Sequence, residues 1–148
     1  LLTFGQFRFL CCGDLTWNIE AKLMMPNNPV GLIDMFMVTH HGLPLSNNPV
    51  LVRAIDPRVA VMCNGPSKGG SANVIKTLRE CESLQVLYQL HRNVMLGPDQ
   101  QAPAQFIANR GPTQGCEGVW IKASVAPGGE NYTVQIGAGG QPHRYESR

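Results

Sequence analysis

Apolar runs of strand length alternate with segments of helical period over the first ninety residues of this chain. The runs are bounded by polar, glycine or proline residues, which favours strands. Between them, apolar residues recur at spacings of three and four, which predicts amphipathic helices, and Pro26 ends the first of these. The predicted strands are 6–12, 32–40, 58–63 and 84–90, and the predicted helices are 15–25, 48–55 and 71–81.

Residues suited to capping precede two of these helices. Asn47 or Asn48 can cap the second helix, and Ser71 can cap the third. The resulting order is β-α-β-α-β-α-β. Such alternation predicts parallel strands with right-handed crossovers, and it places ligand sites beyond the carboxyl ends of the strands.

The pattern changes after residue 90. Residues 91–115 are rich in proline and amide side chains, which predicts a loop-rich connector that covers a site or links two parts of the chain. Residues 116–148 alternate with period two around Pro127-Gly128-Gly129, which predicts a β-hairpin extension with HRYES as a third strand. Trp120 and Tyr132 are expected to pack this hairpin against the core.

Composition adds little to this interpretation. The chain has 148 residues, a net charge of +2, 15% charged residues and 43% hydrophobic residues. This balance is that of an ordinary globular domain and gives no electrostatic argument for a nucleic-acid or membrane partner. No window approaches the ~18 consecutive apolar residues that a membrane span requires.

The five cysteines have no CxxC spacing and are odd in number. This argues against a disulfide framework or a structural zinc knuckle and predicts buried free thiols, which favours a reducing, cytoplasmic compartment. The chain opens without methionine on LLTFGQFRFLCC, which is typical of the inside of a sheet. We therefore expect that further sequence precedes it or that its sheet is completed from elsewhere.

Two polar clusters directly follow predicted strands. Gly13-Asp14 follows the first strand, and His40-His41 follows the second. Because parallel strands end at one edge of a sheet, we expect a carboxylate and an imidazole to meet there and to bind a metal ion. Two other interpretations stay open: Asp14 caps the helix that starts near Leu15, and the histidines bond to backbone carbonyls.

Other polar positions carry weaker signals. The loop NGPSKGGS at 64–71 does not match the phosphate-binding pattern GxxxxGK[ST], so we interpret it as a helix-entry loop with possible anion contact. His91 and His143 have no informative spacing and are expected at the surface.

The stretches FRFLCCGDLTW and IDMFMVTHHGLPLSNNPVLVRAIDPRVAVM resemble the second half of a metallo-β-lactamase-fold hydrolase. The branch they resemble is typified by the hydrolase domain of the competence protein ComEC, and the likeness covers roughly residues 3–90. It implies that residues 1–90 are the C-terminal half of a four-layer αββα sandwich. It also implies a centre of two divalent metal ions, with zinc as the expected metal, that activates a water for hydrolysis.

The same resemblance implies roles for individual residues. Asp14 would be the carboxylate that bridges both metals, and His40 would be a ligand of the second metal, so these two carry the catalysis. His41 would lie behind the ligands or, if the register shifts by one, would itself be the metal ligand. Ser67 and Lys68 would contact substrate, because the corresponding loop lies at the rim of the site in the family.

The chain also departs from the family pattern. It has four histidines and none forms the HxHxDH motif that supplies the first metal site from the N-terminal half, while Leu43 stands where the branch commonly carries serine. We therefore expect this chain alone to bind metal weakly or not at all and to be inactive. Its expected partner is the missing N-terminal half of the same fold.

Three functions follow as hypotheses. The first is a fragment of a metal-dependent hydrolase that cleaves a phosphodiester or an ester, with a small-molecule or nucleic-acid phosphodiester as substrate. The second is a degenerate, non-catalytic binding or structural module. The third is an unrelated α/β binding domain in which Gly-Asp and His-His-Gly coincide by chance.

Overall fold

Six strands form a mixed sheet whose spatial order follows the chain, β1-β2-β3-β4-β5-β6. The computed structural model describes residues 1–111 and 113–148. Strand β1 pairs antiparallel with β2, and each later strand pairs parallel with its predecessor. The strands are β1 (Leu2–Phe4), β2 (Phe7–Cys11), β3 (Met35–Met37), β4 (Val59–Met62), β5 (Val86–His91) and β6 (Ile107–Asn109).

Helices connect β2 through β5 as the alternation predicts. They are α1 (Trp17–Met24), α2 (Pro49–Ile55) and α3 (Ala72–Arg79). Asn48 caps α2, since its side chain accepts a hydrogen bond from the Val50 N–H. Ser71 occupies the N-cap position of α3 without a side-chain cap hydrogen bond. No helix among the described residues is long and apolar enough to cross a membrane.

A separate antiparallel sheet follows, made of β7 (Ile121–Val125), β8 (Asn131–Ile136) and β9 (His143–Glu146). The predicted third strand, HRYES, is therefore present as β9. Tyr132 is fully buried as expected, but Trp120 is 44% exposed, so the expectation that Trp120 packs against the core was wrong.

Both faces of the six-stranded sheet are covered by side chains of this chain. On one face, Leu10, Phe36 and Ala60 pack with residues of all three helices, such as Leu51 and Ile75. On the other face, strand residues pack against Tyr132, Val134 and Tyr145 of the smaller sheet. The described residues thus form an α/β/β arrangement of three layers, and burial on both faces explains why the parallel strands are almost wholly apolar.

The structure departs from the sequence-based expectations at both ends of the large sheet. Strand β1 is an exposed edge, with Leu2 54% exposed, rather than the inside of a sheet. At the opposite edge, β6 lies inside the predicted connector 91–115 and pairs with β5. Strand β6 has only three residues, IAN, which is too short for a period to reveal it.

The cysteines are all free, but only Cys81 is fully buried. Cys12 and Cys63 are half-buried, and Cys11 and Cys116 are exposed. The prediction of free thiols is thus confirmed, whereas the prediction that all of them are buried was wrong for the exposed pair.

Asp56 ends α2 in the left-handed conformation, and its side chain links that helix to Ser83 and Arg148. Its carboxylate accepts hydrogen bonds from the N–H and the hydroxyl of Ser83, and Arg148 Nη1 lies 3.6 Å from Oδ2. Partial burial disfavours the charged form, but these hydrogen bonds and the guanidinium charge outweigh it and hold the pKa of Asp56 below its ordinary value.

We predict that Asp56→Asn weakens the fold in a pH-dependent way. Asparagine tolerates the left-handed backbone but lacks the charge. Because the folded-state pKa is lowered, the carboxylate stabilises the fold above its ordinary pKa of ~3.9, and this stabilisation is lost as pH falls through the folded-state value. The free energy of unfolding should drop by about 1 kcal/mol at neutral pH and by less in acid. Urea unfolding at neutral and acidic pH measures the change in the free energy of unfolding, with Asp99→Asn at an exposed position as control. An equal loss of stability at the two pH values would contradict the prediction.

Candidate metal-binding site

The carboxyl ends of β2 and β3 bring the two predicted polar clusters together. Cys11 is paired with Met37 in the parallel register, so the segments that follow these residues leave the same edge of the sheet. The backbone N–H of His40 donates to the carbonyl of Gly13 over 2.9 Å. The expected juxtaposition of the two clusters is therefore present.

The side chains of Asp14 and His40 face each other at their tips. Asp14 Oδ2 lies 4.0 Å from His40 Nε2, a separation too long for a hydrogen bond. The Asp14 side chain is 67% exposed and that of His40 is 21% exposed. An ion pair this exposed would add little to stability, so the arrangement has little structural value of its own.

Each histidine ring is held by a contact of its Nδ1 atom with a neighbouring residue. His40 Nδ1 lies 3.2 Å from the hydroxyl of Ser46, and His41 Nδ1 lies 2.9 Å from the carbonyl of Cys63. A carbonyl only accepts, so the His41 contact requires a proton on Nδ1 and leaves Nε2 unprotonated in the neutral ring. Metal-binding histidines are commonly oriented in this way. Of the two, it is His40 whose Nε2 faces the Asp14 carboxylate.

Sequence reasoning missed the role of Ser46. This residue is fully buried, and its hydroxyl holds the His40 ring while its carbonyl accepts from Trp17 Nε1 over 2.9 Å. No spacing within HGLPLS signals the contact, because it depends on how the turn after His41 folds back. Asn47, in the left-handed conformation, continues this return.

The turn Thr39–Gly42 has an unusual backbone. His40 (φ 52°) and His41 (φ 58°) are both left-handed, a conformation that costs a non-glycine residue about 1–2 kcal/mol. This turn shortened the strand predicted at 32–40 to Met35–Met37. Strain of this kind persists only where the surroundings enforce it, and it concentrates at functional sites.

The loop that precedes α3 enforces the turn. Gly70 N–H donates to the carbonyl of His41 over 2.8 Å, and Ser71 N–H donates to that of Gly42 over 3.0 Å. A Cβ on Gly69 would lie 2.1 Å from the His41 carbonyl oxygen. Glycine at 69 thus lets the two loops approach closely, which is the main structural use of the sequence KGGS.

The structure describes the other sequence-predicted residues as well. Ser67 and Lys68 are exposed on the loop 64–70. Asp14 does not cap α1, whose N-cap residue is Thr16. His143 is exposed, as expected, whereas His91 is half-buried rather than at the surface.

The thiols of Cys12 and Cys63 are protonated at neutral pH in the metal-free protein. Burial, reinforced by the charge of Glu20, raises the pKa of Cys12 to about 11. Burial also raises the pKa of Cys63. Among the described residues, no group of three or more His, Cys, Asp or Glu side chains is arranged to hold a metal ion. Asp14 and His40 are the two candidate donors that the strand ends bring together.

We predict that Gly69→Ala disrupts the histidine turn. Gly69 has a positive φ of 75°, and the added methyl would collide with the His41 backbone. The free energy of unfolding should fall by about 2 kcal/mol or more. Urea unfolding and the NMR shifts of the His40 and His41 rings report the change. Gly118→Ala is the matched control, because Gly118 also has a positive φ of 73° but nothing lies within 4 Å of an added Cβ; equal effects in both variants would contradict the prediction.

No protein-family model matches the chain, and no curated protein or solved structure matches it significantly.

Proposed function

We propose that this chain supplies one side of a dinuclear metal centre in a hydrolase similar to the ComEC-like branch of the metallo-β-lactamase fold. In this proposal Asp14 is the bridging carboxylate and His40 is a ligand of the second metal, with His41 behind it. The observation that carries the proposal is the 4.0 Å separation between Asp14 Oδ2 and His40 Nε2 at the ends of adjacent parallel strands.

The separation is slightly wider than that between two ligands of one zinc ion. Ligand bonds to zinc are about 2.0–2.2 Å long and tetrahedrally arranged, so two ligands of one ion lie about 3.4 Å apart, and the two side-chain tips would close by roughly 0.6 Å around it. Carboxylate oxygen and imidazole nitrogen are both common zinc ligands. The contact between His40 Nδ1 and Ser46 directs Nε2 outward, as ligation requires.

The chemistry that bound metal supplies is a lowered pKa for a coordinated water, which then attacks a phosphodiester or an ester. The residues of this chain would fix the metal position through Asp14 and His40. Lys68 and Ser67, exposed on the loop that buttresses the histidine turn, would contact the anionic substrate. A catalytic zinc ordinarily has three protein ligands, so this proposal requires donors in addition to Asp14 and His40.

A second candidate function is a non-catalytic binding or structural module. Two observations favour it: the donor set among the described residues has two members, and side chains of this chain cover both faces of the large sheet. Such a module would keep the fold and the histidine turn without forming a working centre.

Zinc titration separates these candidates. We expect Zn²⁺ alone to bind this chain weakly at one site, measured by competition with a chromophoric chelator. Asp14→Ala and His40→Ala should each weaken binding by about tenfold or more, because each removes one of two ligands. His143→Ala, which removes an exposed histidine far along the chain, is the control.

Two results would count against the hydrolase proposal. Equal zinc affinity in wild type and Asp14→Ala would show that Asp14 is not a zinc ligand. If a longer natural form of the protein carries further ligands, its zinc-loaded form should hydrolyse phosphodiester or ester substrates, and Asp14→Ala should abolish that activity. Zinc binding without such activity would favour the module instead.

The role of Ser46 gives a further prediction. Ser46→Ala should weaken zinc binding by about tenfold while His40 is retained, because the ring loses the contact that orients it. Ser124→Ala, on an exposed position of β7, should leave the affinity unchanged. An unaltered affinity in Ser46→Ala would show that its hydroxyl does not position the ligand.

A further inference from the structure

A cleft with two arginines lies at the far edge of the large sheet, away from the histidine turn. It has a volume of about 320 Å³, and its lining includes Arg92, Pro98, Pro103, Ala104, Ile107 and Arg110. We call it the Arg92/Arg110 cleft. Most of its wall is apolar, which is the usual composition of a small-molecule site with a few polar groups.

The strand register places the two arginines side by side. His91 is paired with Asn109 in the parallel ladder between β5 and β6, and Arg92 and Arg110 directly follow them. The Arg92 N–H donates to the carbonyl of Asn109 over 3.0 Å, which continues the ladder by one bond. Neighbouring strands are about 4.8 Å apart, so two positive residues leave the sheet as immediate neighbours.

Neither guanidinium has an acidic partner among the described residues. The ion pairs there involve Arg53, Arg144, Arg148 and His40 instead. Like charges side by side on adjacent strands repel each other. An anion between them would relieve that repulsion, and paired guanidiniums suit the planar oxygens of a carboxylate or the oxygens of a phosphate.

The cleft walls are fixed by hydrogen bonds, although this segment is mostly loop. Buried Gln101 accepts the Asn93 N–H over 2.9 Å, and its amide donates to the carbonyl of Leu96. Arg79 donates to the Gln101 carbonyl, and the Ala102 N–H donates to buried Gln89. A preformed wall lowers the entropy that a ligand would lose on binding.

We propose that the Arg92/Arg110 cleft binds a small organic anion. Both guanidiniums hold a carboxylate or phosphate head group, and the apolar wall of Pro98, Pro103, Ala104 and Ile107 receives the ligand's apolar body. This site does not involve Asp14 or His40, so the proposal does not depend on the proposed hydrolase function.

Calorimetric titration with phenylphosphonate and benzoate tests the proposal. Neither compound has a bond that a hydrolase would cleave, and they distinguish the two kinds of head group. At least one of the two compounds should bind saturably. It should bind more tightly than inorganic phosphate, which lacks the apolar ring, and more tightly than benzyl alcohol, which lacks the negative charge. Arg92→Gln and Arg110→Gln should each weaken binding by about tenfold, the usual effect of losing a charge-assisted hydrogen bond.

Two further variants make the result specific. Arg144→Gln removes an exposed arginine of β9 and should leave the affinity unchanged. Ala104→Leu narrows the cleft without altering charge and should weaken phenylphosphonate but not inorganic phosphate. The arginines are exposed, and circular dichroism checks that their variants fold. The proposal is overturned if neither organic anion binds, if inorganic phosphate binds as tightly, or if Arg144→Gln weakens binding equally.

Discussion

The parallel register of β2, β3 and β4 is the constraint on which the candidate site depends. Met35 of β3 is paired with Phe9 of β2 on one side and with Val59 of β4 on the other. Because both faces of the sheet are buried, a slip of one residue would turn apolar side chains of each strand toward the wrong layer. The segments beyond the strand ends are thereby fixed relative to one another, and the bond from His40 N–H to the Gly13 carbonyl completes the alignment.

Local strain at the histidine turn is balanced by contacts with the loop before α3. Two consecutive left-handed histidines are unfavourable by themselves, but hydrogen bonds from Gly70 and Ser71 hold the turn closed. The same closure directs Nδ1 of each histidine toward a partner within the protein. The backbone conformation is therefore held by the loop before α3, and the outward direction of His40 Nε2 by the contact of Nδ1 with Ser46.

The two sites that we propose share a physical origin. In each, two polar side chains follow the carboxyl ends of adjacent parallel strands, where they leave the sheet together. At β2 and β3 these are a carboxylate and an imidazole, which suit a cation. At β5 and β6 they are two arginines, which suit an anion. The carboxyl ends of the strands of one sheet thus carry two different binding preferences.

The sequence by itself determined the alternation of strands and helices, since apolar period and proline positions are local properties. It also indicated that Gly13-Asp14 and His40-His41 would meet, because parallel strands that alternate with helices must end at one edge. Only the tertiary structure decided which histidine faces Asp14, since that depends on left-handed backbone held by Gly69 and Gly70. Likewise, β6 and the role of Ser46 were invisible in the sequence, because a three-residue strand and a side-chain contact across a turn exist only through the partners that folding brings to them.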